Sequence, residues 1–234
     1  LVSDWSSDVC SSDLDGVETP ALPGYAAERD ILLFNTQDQG QTWNGPTVLK
    51  GRNFPELVDS LYSELTPGIF TSGIPTFADF ALTVDGNGFA HVVASAMNST
   101  AINQPNLLDD IELKGRKAIV SFSISPQGNV GYKHLASTRL YQALIPNTTD
   151  LVHSATPGIS RDAAGQRIFY TWVEDATGTT SVLNNANLYG CALRVADGFR
   201  APVKCFSCAD VEFAGKVCWP VIAPVVLGNP QGQD

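Results

Sequence analysis

The sequence predicts an all-β fold, and three observations carry that expectation. Short runs of alternating apolar and polar residues recur along the chain, most neighbouring runs are joined by turns rich in Asp, Asn and Gly, and helical periodicity occurs in one stretch alone. The first pair of runs is Ile31-Leu32-Leu33-Phe34 and Pro46-Thr47-Val48-Leu49. Between them lies Thr36-Gln37-Asp38-Gln39-Gly40-Gln41-Thr42-Trp43. Each joining residue has a job: Asp38 can accept backbone N–H groups of the turn, Gly40 can take a positive φ, and Thr42 and Trp43 open the returning strand. Trp43 is expected to bury its ring between neighbouring sheets.

The octet resembles the Asp-box, the [ST]-x-D-x-G-x-[TS]-W signature of sialidase-like (BNR-repeat) β-propellers, with Thr36, Asp38, Gly40, Thr42 and Trp43 all in place. In that family the box holds the turn between the third and fourth strands of a blade, so the resemblance implies architecture and leaves the chemistry open. The fold it implies is an incomplete β-propeller arc.

The rest of the chain supplies the pieces. Pro55-Glu56-Leu57-Val58-Asp59-Ser60-Leu61-Tyr62-Ser63-Glu64-Leu65 places Leu57, Leu61 and Leu65 four apart behind Pro55, which predicts one short inserted helix near residues 55–65. Asp79 to Val84, the turn Asp85-Gly86-Asn87-Gly88 and Phe89 to Ser95 form a hairpin. The same pattern returns in Thr156 to Arg161, the turn Asp162-Ala163-Ala164-Gly165, and Arg167 to Val173, 77 positions further on. An ordinary propeller blade takes roughly 40–50 residues, so loops or inserts fill the difference. Each of these hairpins is followed by a second pair, Ala118 to Leu135 around Ser125-Pro126-Gln127-Gly128-Asn129, and Asn187 to Cys205 around Val195-Ala196-Asp197-Gly198. Both pairs sit where an Asp-box hairpin belongs and lack its Thr and Trp, so they read as degenerate copies. The blade pieces fall at about residues 28–50, 75–135, 156–206 and 217–228, two whole four-stranded blades and two partial ones. A propeller closes with about four to eight blades, so the chain reads as a fragment of a larger protein whose remaining blades would complete it.

Residues 1–14 are mostly Ser and Asp with no periodicity and are not expected to pack. The run from Asp4 to Leu14 resembles the conceptual translation of a sequencing-library adapter, a contaminant of assembled metagenomic sequence, and is set apart from the fold as a processing scar would be. No initiator Met and no charged-then-apolar leader precede it, so the natural start is read as missing. The net charge of −10 becomes −7 when Asp4, Asp8 and Asp13 are set aside. That acidic balance, with Lys and Arg unclustered, argues against nucleic acid and anionic membranes as partners. No apolar run approaches the roughly 20 residues of a membrane helix, so no membrane insertion is expected.

The resemblance to sialidases implies an Arg-Ile-Pro element, three arginines on a carboxylate, a Tyr–Glu nucleophile pair and an Asp acid/base. Gly73-Ile74-Pro75 has the Ile-Pro without the Arg. Tyr170 and Glu174 are the one Tyr–Glu pair worth naming, but four residues apart on a strand they lie about 13 Å from each other, too far for the carboxylate to activate the phenol. Tyr170 otherwise reads as a packing aromatic and Glu174 as a solvated strand end. Asp109, Asp110 and Glu112 are candidate oxygen ligands for Ca²⁺, though their spacing lacks the pattern of a dedicated loop. His91 alternates with Phe89 and Val93 and reads as a hydrogen-bonded interior residue, and His134 and His153 show no ligand spacing. No Gly-rich phosphate loop, nucleophile elbow or His-Glu-x-x-His motif occurs, and no cofactor is expected. Asn98-Ser99-Thr100 and Asn147-Thr148-Thr149 fit the N-glycosylation pattern.

Setting Cys10 aside leaves Cys191, Cys205, Cys208 and Cys218. An even, clustered set suggests disulfides in an exported protein. A hairpin turning near Asp197-Gly198 would put Cys191 opposite Cys205 and leave Cys208 for Cys218. Free thiols are one alternative. A zinc site is another, since Cys205-Phe206-Ser207-Cys208 has C-x-x-C spacing. The functional expectation is a non-catalytic exported or cell-surface module whose loops bind a protein or glycan. The alternative is a fragment of a sialidase-like glycoside hydrolase, and a segment of a large surface adhesin is compatible with either set of observations.

Overall fold

The computed structural model describes residues 4–8, 30–57, 75–98, 116–139, 142–144, 151–153, 157–175, 186–210, 212, 214 and 221–226. The fold is all-β, built from antiparallel sheets. The first sheet has the order β1 (Asp4–Asp8), β2 (Ile31–Thr36), β3 (Asn44–Leu49). A 3₁₀ turn at Gly51–Asn53 follows, and residues 55–57 begin a helix whose predicted continuation lies outside the described residues. The second sheet is a four-stranded meander of β4 (Pro75–Val84), β5 (Ala90–Asn98), β6 (Arg116–Ile124) and β7 (Val130–Arg139). A two-stranded ribbon, β8 (Gln142–Leu144) with β9 (Leu151–His153), precedes the third sheet. That sheet contains β10 (Gly158–Asp162), β11 (Arg167–Asp175), β12 (Ala186–Arg194), β13 (Lys204–Cys205) and β14 (Val225–Val226) in the order β13-β12-β11-β10-β14.

Asp4–Asp8, whose composition predicts no packing, forms β1, with Asp4 opposite Thr36 and Asp8 opposite Leu32. Backbone pairing needs no side-chain pattern. The apolar strand β2 pairs with β3 on one edge only, and β1 supplies partners for the N–H and C=O groups of the other.

The β4–β7 sheet is the middle layer. Val92, Ala94, Val120, Phe122 and Ile124 point toward Ile31, Leu33 and Leu49 of β2 and β3, joined by Leu57 and Phe77. Phe122 anchors this core, with ring centroids 5.0 Å from Phe54, 5.6 Å from Phe77 and 5.7 Å from Tyr132. On the opposite face Val93 and Ile119 meet Ile159, Ile168, Tyr170, Trp172 and Leu193 of the third sheet. Because both faces of β5 are covered, its residues Ala90-His91-Val92-Val93-Ala94-Ser95-Ala96 are buried without a break, which explains why this run is less alternating than an edge strand would be.

One turn pattern organises the two larger sheets. In Asp85–Gly88, Ser125–Gly128, Asp162–Gly165 and Val195–Gly198 a glycine stands fourth, and each has a positive φ, from 65° to 84°. The turns 85–88 and 162–165 also touch: the Gly86 amide donates to the Gly165 carbonyl at 2.9 Å, and a Cβ on Gly165 would collide with the Gly86 backbone. β10 lies against β4, and with their turn ends together the two strands run the same way. β14 pairs parallel to β10, from Arg161 opposite Val225 to Asp162 opposite Val226.

Candidate functional site

The octet between β2 and β3 builds its turn around Asp38. The Thr42 amide and hydroxyl donate to the two carboxylate oxygens at 2.8 and 2.6 Å, and the Thr36 hydroxyl donates at 2.7 Å. Thr36 Oγ1 in turn accepts the Gly40 amide at 2.9 Å. Gln39 and Gly40 take φ of 60° and 87°, the left-handed conformations that let the chain reverse inside this net. The donors from Thr42, then Thr36, hold the Asp38 carboxyl down to about 2. Trp43 departs from expectation: it is 48% exposed, with its ring packed over Gly40 and closing the loop on itself. The face of this hairpin that meets the β4–β7 sheet is already occupied by Ile31, Leu33 and Leu49.

Between the second and third sheets runs a buried polar seam. At one end His91 Nε2 bonds Asp85 Oδ2 at 2.9 Å, and His91 Nδ1 lies 3.3 Å from the Ser123 hydroxyl. Asp85 Oδ1 accepts the Asn87 and Phe89 amides of its own turn. Burial pushes the Asp85 carboxyl up, but donation from His91, Phe89 and Asn87 outweighs it and leaves it below its ordinary value. The connectivity Asp-His-Ser has the form of a catalytic relay. Its position does not: Asp85 and His91 are both buried between packed sheets, so the relay fastens the turn to β5 and β6. His91 is thus the hydrogen-bonded interior residue its pattern suggests.

Further along the seam Tyr170, fully buried on β11, packs beneath Arg200, whose guanidinium carbon is 5.0 Å from the ring centre. Arg200 Nη2 donates to Ser121 of β6 at 3.3 Å. Burial pushes the Tyr170 phenol up to about 12, against the opposing charge of Arg200. Glu174 is not brought to this cluster: it stands opposite Asn187, where its carboxylate accepts Trp172 Nε1 at 3.4 Å. The two candidate catalytic residues therefore have separate, structural partners. Nothing in the sequence marks Arg200 as the partner of Ser121, 79 residues away. Asp109, Asp110 and Glu112 lie outside the described residues, and among the described residues no group of three His, Cys, Asp or Glu side chains is placed to hold a metal ion.

The cysteines correct the expected pairing. Cys205 is bonded to Cys208, and Cys191 is a buried free thiol. The reason is register: the chain turns back tightly at Val195–Gly198, and Cys205 comes to stand opposite Tyr189, two positions beyond Cys191. Cys191 faces inward beside Tyr170 and Arg200, where burial raises its thiol and Arg200 partly offsets the rise. With Cys208 already engaged, the expected Cys208–Cys218 bridge does not form, and Cys218 itself lies outside the described residues. What the fold defines is a protein of face-packed antiparallel sheets. Beyond that class, no protein-family model, curated protein or solved structure matches the chain.

Proposed function

We propose that this chain is part of an exported β-propeller of the Asp-box type that binds a protein or glycan through its loops and performs no catalysis. The observation that carries the reading is the column β4, β10, β14: β4 and β10, the first strands of the second and third sheets, lie side by side and run the same way, as strands around a propeller axis do, and β14 pairs parallel to β10 at the edge of the third sheet. The Thr36–Asp38–Thr42 net supports the same family. Export is part of the proposal, and a disulfide at Cys205–Cys208 is compatible with it.

The binding reading rests on how the polar side chains are used. Tyr170, Asp85 and His91 are inside, and Glu174 accepts from Trp172, so the groups a hydrolase would need at its surface are taken up in internal contacts. The sialidase-like alternative draws on Arg200 over Tyr170, yet that phenol is 1% exposed. The test is a glycan array read alongside turnover of a fluorogenic sialoside. Retention of a glycan class without turnover is the expected result, and turnover abolished by Tyr170→Phe would replace this reading with the hydrolase.

A further inference from the structure

The C-x-x-C at Cys205–Cys208 lies on the loop that leaves β13, at the surface: Cys208 is exposed and Cys205 half-buried. A disulfide that spans two intervening residues closes a loop too short to remove much entropy from the unfolded chain, so its contribution to holding the fold is small. The loop has other fastenings. The Phe206 amide donates to the Leu188 carbonyl at 2.7 Å, the Ser207 hydroxyl donates to Asn187 Oδ1 at 2.9 Å, and the Leu188 amide donates to Ser207 Oγ at 3.0 Å. The aromatic ring of Phe206 also packs on Gly190. These bonds belong to the two residues between the cysteines, whose Cα atoms are 5.7 Å apart, so the loop has fastenings that do not depend on the S–S bond.

One further contact bears on chemistry. The Cys208 amide donates to Cys205 Sγ at 3.1 Å, which would stabilise negative charge on that sulfur, and Tyr189 Oη lies 3.6 Å from Cys208 Sγ. We propose that Cys205–Cys208 is a reversible thiol-exchange site that accepts two electrons from thiols. An external thiolate attacks the exposed Cys208 Sγ; the new bond is the mixed disulfide at Cys208, and the bond that breaks releases Cys205 as a thiolate held by the Cys208 amide. A second external thiolate attacks the outer sulfur of the mixed disulfide, releasing the external disulfide and the Cys208 thiolate, and both protein thiolates take protons from solvent. The protein disulfide is reduced and two external thiols are oxidised to one disulfide.

The full chain is equilibrated at neutral pH with mixtures of reduced and oxidised dithiothreitol, quenched by alkylation and read peptide by peptide by mass spectrometry, with far-ultraviolet circular dichroism in parallel. The expected result is a reversible gain of two alkyl groups on the peptide holding Cys205 and Cys208, with the spectrum unchanged and buried Cys191 unlabelled. Reduction that needs denaturant, or that collapses the spectrum, would overturn the proposal. Cys208→Ser keeps the residue-208 amide, and its Cys205 should alkylate with a pH midpoint below the free-thiol value of about 8.5. A midpoint at or above that value also overturns it.

Discussion

Protonating Asp38 removes the charge that strengthens its bonds from Thr42 and Thr36 and puts a proton on one of the two accepting oxygens, so the turn is sensitive to acid. The sign follows from the direction of the shift: a carboxyl held at about 2 in the fold and near 3.8 when unfolded stabilises the fold above the higher value, and that contribution fades as pH falls between them. Asp85 is shifted the same way and adds to the loss. Amide resonances of Gly40 and Thr42 in the folded protein should therefore hold steady through the ordinary carboxylate range and move only as pH falls toward the folded-state value of about 2, and in Asp38→Asn they should not show that transition. Phe122 makes a different kind of residue-scale prediction. Fully buried among Phe54, Phe77 and Tyr132, it should cost about 3–5 kcal/mol on Phe122→Ala, read by denaturant unfolding. Within the octet the roles of Asp38 and Gly40 were legible, because they act on residues two to four positions away, whereas Thr42, expected to open the returning strand, instead donates to Asp38 and the strand begins at Asn44. Trp43 was not legible, since its burial depends on which surface lies opposite, and no local pattern encodes that.

Among the elements, the two touching turns show how short sequences place whole strands. Asp85 and Asp162 each accept amides of their own turn, and the glycine that follows three residues later completes the reversal. Gly165→Ala would carry both a positive φ of 65° and a collision with Gly86, so we expect a loss of about 1–3 kcal/mol with the strands themselves intact, measured by thermal unfolding. His91→Ala leaves Asp85 short of a buried donor and should cost a similar amount, about 1–3 kcal/mol. The strands of these hairpins could be read from alternation and from Asp-x-x-Gly turns. Register could not: the tight reversal at Val195–Gly198 puts Cys205 opposite Tyr189, and that small offset is what redirects the disulfide from Cys191 to Cys208. A shift of this size leaves alternation almost untouched.

For the whole molecule, the all-β class followed from patterns that each element carries alone, whereas the seam between sheets joins residues far apart in the chain. Ser121 and Arg200 meet only because β4–β7 and the third sheet pack face to face, and single-strand patterns say nothing about which faces meet. The shared direction of β4 and β10 is likewise a property of packing, β14 joins β10 by parallel backbone pairing, and the propeller reading depends on both. The most direct test is therefore a crystal structure of the protein. The account predicts β4, β10 and β14 side by side along one axis, with β5 to β7 and β11 to β13 extending outward from it. Sheets stacked as a flat sandwich, with no common axis beside those three strands, would contradict it.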